Sequence, residues 1–108
     1  MTPAWLRPLA EADLIERSQY YATEAGGDVA QRFFDSAIAA LHAAERMPGA
    51  GTPLVGELCD IPGLRMRRVE GFPCGWDYFV RSDHLDFVRL LADGQDLTAI
   101  FEVSDDEQ

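Results

Sequence analysis

Ser82-Asp83-His84 places in one tripeptide the three residue types of a hydrolytic triad. A triad needs nucleophile, base and orienting acid to face one another, and three successive turn residues cannot do so. Asp83 with Asp86, and Asp93 with Asp96, are close enough in sequence to form carboxylate pairs. Both pairs fall in turn-like stretches where acids stay solvated, so nothing raises a pKa for proton-transfer work. Cys59 and Cys74 lack CxxC spacing and are too few for a disulfide framework, so unpaired packing thiols are expected. His42 and His84 show no metal-ligand spacing, and His42 reads as a partly exposed helix residue. There is no Gly-x-Ser-x-Gly elbow and no His-Glu-x-x-His motif. Gly49-Ala50-Gly51-Thr52-Pro53 lacks the Lys-Ser/Thr of a phosphate-binding loop, so its glycines read as turn residues. The expectation is a protein with no catalytic residues, no metal and no cofactor, and hence not an enzyme.

What remains is arginine chemistry. All nine basic residues are Arg, against 19 acids, for a net charge of −10 over 108 residues. That balance argues against direct binding of nucleic acid over a wide basic face. Between Leu64 and Arg81, however, Arg65, Arg67, Arg68 and Arg81 outnumber Glu70 and Asp77, so a basic island sits in an acidic chain. Guanidinium groups pair bidentately with carboxylates, and Trp, Tyr and Arg tend to dominate protein interfaces. The candidate partner-binding residues are therefore Arg65, Arg67, Arg68, Trp76, Tyr78, Arg81 and Arg89. Strand alternation puts Trp76 and Tyr78 on one face and Asp77, Phe79 and Arg81 on the other, so one of these sets must be core. Arg89 lies inside an apolar run, where a charge is costly unless paired, and an acid on a neighbouring strand is the expected partner.

The elements that position these residues follow from periodicity. Leu64–Glu70, Trp76–Arg81 and Leu85–Leu91 read as strands joined by the breaks Gly71–Gly75 and Ser82–His84, which makes an antiparallel meander. Ala4–Arg7 reads as a short opening strand. Pro8 suits the first turn of a helix whose face is Leu14, Ser18, Tyr21, Ala22 and Ala25. Gly26-Gly27 stops it, and Asp28 is expected to cap a second helix with Gln31 as its capping-box partner. Val29, Phe33, Ala37, Ala40, Leu41, Ala44 and Met47 form the second apolar face. Phe34 and Ile38 widen that face to more than half the helix girth. Pro48-Gly49 ends this helix, and Leu54–Gly63 reads as a connector. The fold class is α+β in the order β-α-α-β-β-β, with an N-terminal strand and an antiparallel helical hairpin packed on an antiparallel meander. Residues 1–103 are expected to form a single domain. Within it, Thr98–Val103 adds either an edge strand or a short docking segment. Residues 104–108 are expected to be an acidic, disordered tail. No apolar run is long enough for a membrane helix and no secretory signal is visible at Met1–Trp5, so a cytoplasmic protein is expected.

In this order and spacing, several stretches resemble the ParE toxins of the RelE/ParE superfamily of type II toxin–antitoxin systems. They are Pro8-Leu9-Ala10-Glu11-Ala12-Asp13-Leu14, Ala30–Asp35 with Ile38 and Leu41, and Met47–Pro53. To these are added Leu64-Arg65 with Val69 and Gly71-Phe72-Pro73 followed by Tyr78-Phe79, and Val88-Arg89-Leu90-Leu91 with Asp96-Leu97. Arg7 departs from the family's Ser or Thr helix cap, and Ala92 and Gln95 replace its closing His and Arg. The resemblance implies the fold just derived and a toxin neutralised by a ParD-like antitoxin in a hetero-oligomer. It also implies DNA gyrase as the target, inhibited by protein–protein binding. The superfamily's other branch, ribosome-dependent mRNA interferases, is the alternative, with a non-toxic antitoxin-binding relative as a third reading. The last sixteen residues hold no Arg, His or Tyr, so the C-terminal acid or base of an interferase is missing.

Overall fold

A computed structural model describes residues 1–96 and 99–101 of the chain. Pro8 starts helix α1 (Pro8–Ala25), because its missing N–H falls where no intrahelical partner exists. Gly26, at φ 96° and ψ 166°, adopts backbone angles essentially closed to other residues. That single residue turns the chain, and helix α2 (Gly27–Arg46) begins at once. The expected Asp28 cap does not form. Because α2 starts at Gly27, Asp28 lies within the first turn, and the Gln31 Nε2–H donates to Asp35 Oδ1 instead (2.9 Å). The helices pack on each other as a hairpin, and α2 leads through a 3-10 turn (Pro48–Ala50) to a five-residue helix α3 (Leu54–Leu58) inside the expected connector.

The meander forms with small shifts in its ends: β2 (Leu64–Arg68), β3 (Cys74–Val80) and β4 (Leu85–Ala92). Cys74 and Gly75, read as part of a turn, belong to β3, opposite Ala92 and Leu91. The opening strand β1 (Ala4–Leu6) joins the other side of β4 in parallel register, Ala4 against Leu85 and Leu6 against Phe87. The sheet is therefore mixed, in the order β1-β4-β3-β2. Glu45 of α2 ties the edge down by accepting the Ala4 N–H at Oε2 (2.8 Å). At the opposite edge, Thr52 exchanges two backbone hydrogen bonds with Met66 (2.8 and 2.9 Å).

One irregularity sets which face each β4 residue serves. Tyr78 opposes Phe87 but Asp77 opposes Arg89, so Val88 is an extra residue, a β-bulge. Strict alternation would group Leu85, Phe87, Arg89 and Leu91. Instead Leu85, Phe87 and Leu90 face the helices, while Val88 and Leu91 face the other way. Two apolar clusters result. The larger, beneath the helices, includes Phe33, Ala37, Leu41, Trp76, Tyr78 and Phe87. The smaller holds Leu64, Val88, Leu91 and Phe101, with Val55 of α3 and Phe79 packed against it.

Helix α2 is buried along a narrower stripe than expected. Phe33, Ala37, Ala40, Leu41 and Ala44 are buried, but Phe34 and Met47 are exposed, because α2 has the sheet on one side and solvent on the other. Of the segment 98–103, residues 99–101 are described. The Ile100 N–H donates to the Asp96 carbonyl (3.1 Å) in one helical turn, and Phe101 docks in the smaller cluster. The rest of that segment and the tail 104–108 lie outside the described residues. Among the described residues, no helix is long and apolar enough to cross a membrane.

Candidate functional site

The arginines of the meander do not form one patch. Arg65 reaches back to the loop after α2, its Nη1–H donating to the carbonyls of Gly49 (3.2 Å) and Gly51 (2.7 Å). It holds that loop against Tyr78, whose hydroxyl donates to the Pro48 carbonyl (2.7 Å). A Cβ on Gly51 would lie 2.9 Å from the Tyr78 ring, so the close approach requires glycine there. Arg68 forks onto Asp93 (2.9 and 3.2 Å) and holds that carboxyl below the usual carboxylate range. Arg81 donates to Asp86 (2.9 Å) and lies over the Phe79 ring. Arg7, at the helix cap position, sends its side chain to the same Asp86 in a two-pronged contact (2.8 and 2.9 Å). Burial works to raise the Asp86 carboxyl, but Arg7 and then Arg81 outweigh it and hold it low. The departure at position 7 thus substitutes a strand–helix ion pair for a cap.

Trp76 and Tyr78 are fully buried on the helix-facing side of β3. The Trp76 Nε1–H donates to the Ala37 carbonyl (3.0 Å), an approach that the small side chains of α2 permit. Both rings are core, so a partner could meet them only through the residues that cover them. Arg89 finds its acid on α1, not on a neighbouring strand: Nε and Nη2 donate to the Asp13 carboxylate (2.8 and 3.0 Å). Asp13 also accepts the Leu90 N–H (3.0 Å), so one carboxylate neutralises Arg89 and satisfies part of β4 beyond the end of β1.

Two features stand out after these pairings. The first is a groove between α2 and the outer strand β2, lined by Ser36, Ala39, Ala40, Ala43, Arg46, Arg67, Arg68 and Glu70. Its floor is made of small side chains, and three guanidinium groups line it against one carboxylate. Arg46 was not among the expected residues. Its position in the last turn of α2 was readable, but its nearness to β2 depends on how the hairpin lies on the sheet.

The second feature is Asp77, 2% exposed on the sheet face away from the helices. Among the described residues nothing hydrogen-bonds its buried Oδ1. Burial pushes its carboxyl up to about 7, with Arg89 pulling it down and Asp13 pushing it up. Its direct cross-strand neighbour is Arg89, which is bound to Asp13. Leaving a buried acceptor unmet costs about 1–3 kcal/mol, and among the described residues the Asp77 Oδ1 is in that position. Cys74, on the helix side, is pushed up to about 11 by burial and is chemically quiet. Both cysteines are free. Gln95, at a position where the family pattern has Arg, accepts the Ala92 N–H through Oε1 (2.6 Å) and closes the turn after β4.

A helical hairpin over one face of a mixed four-stranded sheet, with an arginine-lined groove at its outer strand, defines an α+β fold. The chain is similar in structure to a chain of the "Chromosomal ParDE TA system from P. aeruginosa", with a TM-score of 0.73 and 20% identity. The match covers 85% of this chain and 96% of that one. At that identity the likeness is one of fold, and the fold implied by the ParE resemblance is the one observed. No family model and no curated protein matches the chain.

Proposed function

We propose that this chain is the toxin component of a type II toxin–antitoxin pair, acting in the cytoplasm by protein–protein binding and held inactive by a ParD-like antitoxin. The observation that carries the proposal is the fold shared with a ParDE-system chain over nearly its whole length. The groove of Arg46, Arg67 and Arg68 supports it, since this is where a basic surface opens on a protein of net charge −10. An acidic antitoxin segment laid along α2 and β2 would bring carboxylates to these guanidinium groups and small apolar side chains to the alanine floor. Arg65, Arg81 and Arg89, bound to the loop after α2, to Asp86 and to Asp13, serve in this reading to hold the fold in place. The described elements and residues 1–103 work as a single unit in this reading, with DNA gyrase as its target.

Expression of the chain alone should arrest growth, and co-expression of the protein encoded beside it should relieve the arrest. Purified chain should inhibit gyrase supercoiling, and the antitoxin should restore it. Normal growth on strong expression alone would overturn the toxin reading and leave a silent binder. Arrest with full gyrase activity and ribosome-dependent mRNA cleavage would assign the chain to the interferase branch instead.

A further inference from the structure

The face of the sheet turned away from the helices carries a cleft of about 170 Å³ between α3 and the end of β4. Val55, Met66, Gly75, Leu91 and Ala92 give it mostly apolar walls, and Asp77 also lines it. Asp77 is 98% buried by its 2% exposure, and its Oδ1 meets no hydrogen-bond donor among the described residues. The other carboxylate at the cleft, Asp93, is already engaged by Arg68. The cleft thus combines apolar walls with a carboxyl whose Oδ1 is unmet among the described residues.

That combination is complementary to one kind of side chain. Lysine and arginine carry an aliphatic stem that buries against apolar surface and a cationic head that seeks a carboxylate. We propose that the Asp77 cleft is a docking site for a lysine or arginine side chain of a protein partner, stem against Met66, Val55 and Leu91 and cationic head on the Asp77 carboxylate. The net charge of −10 draws a basic partner toward this surface. This site lies on the opposite face of the sheet from the helical hairpin, and it does not rest on the toxin reading.

Binding of a cation requires Asp77 in its charged form. The charged groups that bear on it are Arg89 from β4 and Asp13 from α1, paired with each other. From β2 and α3 the cleft receives the neutral Met66 and Val55, and from the turn after β4 the Arg68-bound Asp93. Occupancy must expel the Asp77 proton at low pH, so affinity rises as pH rises through about 7.

The test is an NMR titration of the full chain with n-butylammonium and with Nα-acetyl-lysine-N-methylamide. n-Butanol and n-butyrate serve as neutral and anionic isosteres. Saturable shifts are expected at the Val55 and Met66 methyls and at the Asp77 carboxyl carbon. Binding of both cations should be at least about tenfold weaker at pH 5 than at pH 8, and the isosteres should bind far more weakly. Asp77→Asn should abolish the cation response with the rest of the spectrum retained. If that variant fails to fold, the pH dependence and isostere series on the unaltered chain still decide the matter. Equal binding of butanol and the cations, a response that ignores pH, or no saturation at tens of millimolar would overturn the proposal. Binding of n-butylammonium with exclusion of the capped lysine would also overturn it, pointing to a free amine instead of a partner's side chain.

Discussion

The two faces of this sheet are built to different standards. On the helix side, the buried polar atoms of β3 find partners: the Trp76 indole N–H on Ala37 and the Tyr78 hydroxyl on Pro48. On the other side, one residue between them in sequence, Asp77 is buried with an oxygen unmet among the described residues. The first face is backed by two long helices, and the alanines of α2 let the Trp76 indole reach a helix carbonyl. The second is backed by a five-residue helix and the turn carrying Phe101. A fully satisfied face is finished as a core. A face with a buried carboxyl oxygen unmet among its described residues is less complete as a core.

Truncation on the finished face should cost most. Trp76→Ala removes a fully buried indole and its hydrogen bond, and should destabilise the fold by about 3–5 kcal/mol in urea denaturation. A loss under about 1 kcal/mol would mean that the helix face is no better packed than the other, and the contrast would disappear.

The second face should announce itself through pH. Asp77 holds its proton more tightly folded than unfolded, since its carboxyl is raised from 3.8 to about 7. Its contribution is therefore fully present below about pH 4 and is lost as pH rises to about 7, with no further change above. The gap corresponds to a ceiling of about 4 kcal/mol. Asp86 and Asp93, held low by their arginines, act in the opposite sense, losing their contribution as pH falls. The measurement is thus the difference between the unaltered chain and Asp77→Asn, followed by urea unfolding from pH 4 to pH 8. A flat difference would show that Asp77 is solvated, and the two faces would be alike.

Much of this architecture was readable in the residues. Pro8, Gly26 and the turn at Ser82–His84 act locally, so their effects were visible without tertiary information. The strand meander followed from runs of aromatic and β-branched residues. What escaped were features set by neighbours distant in sequence. The apolar run around Arg89 points to an acid on a neighbouring strand as its partner. The bulge at Val88 moved the pattern by one residue, and the acid came from α1, 76 positions away. Trp76 and Tyr78 looked equally suited to an interface or a core, because composition alone does not say which face of a strand the helices will cover. Asp77 lies on the face that alternation gives it, but nothing in its sequence neighbourhood shows that its Oδ1 would go unmet among the described residues.

Arg89, next to the bulge residue Val88 and across from Asp77, joins the two faces through its pair with Asp13 of α1. With side-chain exposures of 19% and 13%, the pair is sheltered enough that breaking it leaves a poorly solvated charge. Asp13→Ala also frees the Leu90 N–H, so it should cost about 2–3 kcal/mol, more than Arg89→Ala. Asp13→Ala should also lower the carboxyl pKa of Asp77, since Asp13 pushes it up and Arg89 would be released. A carboxyl-carbon NMR titration that leaves Asp77 unmoved in this variant would separate the pair from the cleft.

The smallest effect tests whether exposed arginines serve the fold or a partner. Arg68 and Asp93 form a two-pronged contact, but both side chains are more than half exposed, at 53% and 54%. Water screens such a pair, and Arg68→Ala should cost about 0.2–1 kcal/mol of stability. Arg46→Ala with Arg67→Ala should cost no more, because neither side chain is buried. Against the antitoxin the order should invert. The Arg46/Arg67 double variant should weaken binding by at least about tenfold and make it less sensitive to salt, since fewer ion pairs form. Arg68→Ala should weaken it less, because Arg68 must first part from Asp93. A double variant that binds as tightly as the unaltered chain would mean that the groove, like the ion pairs around it, is a solvated surface.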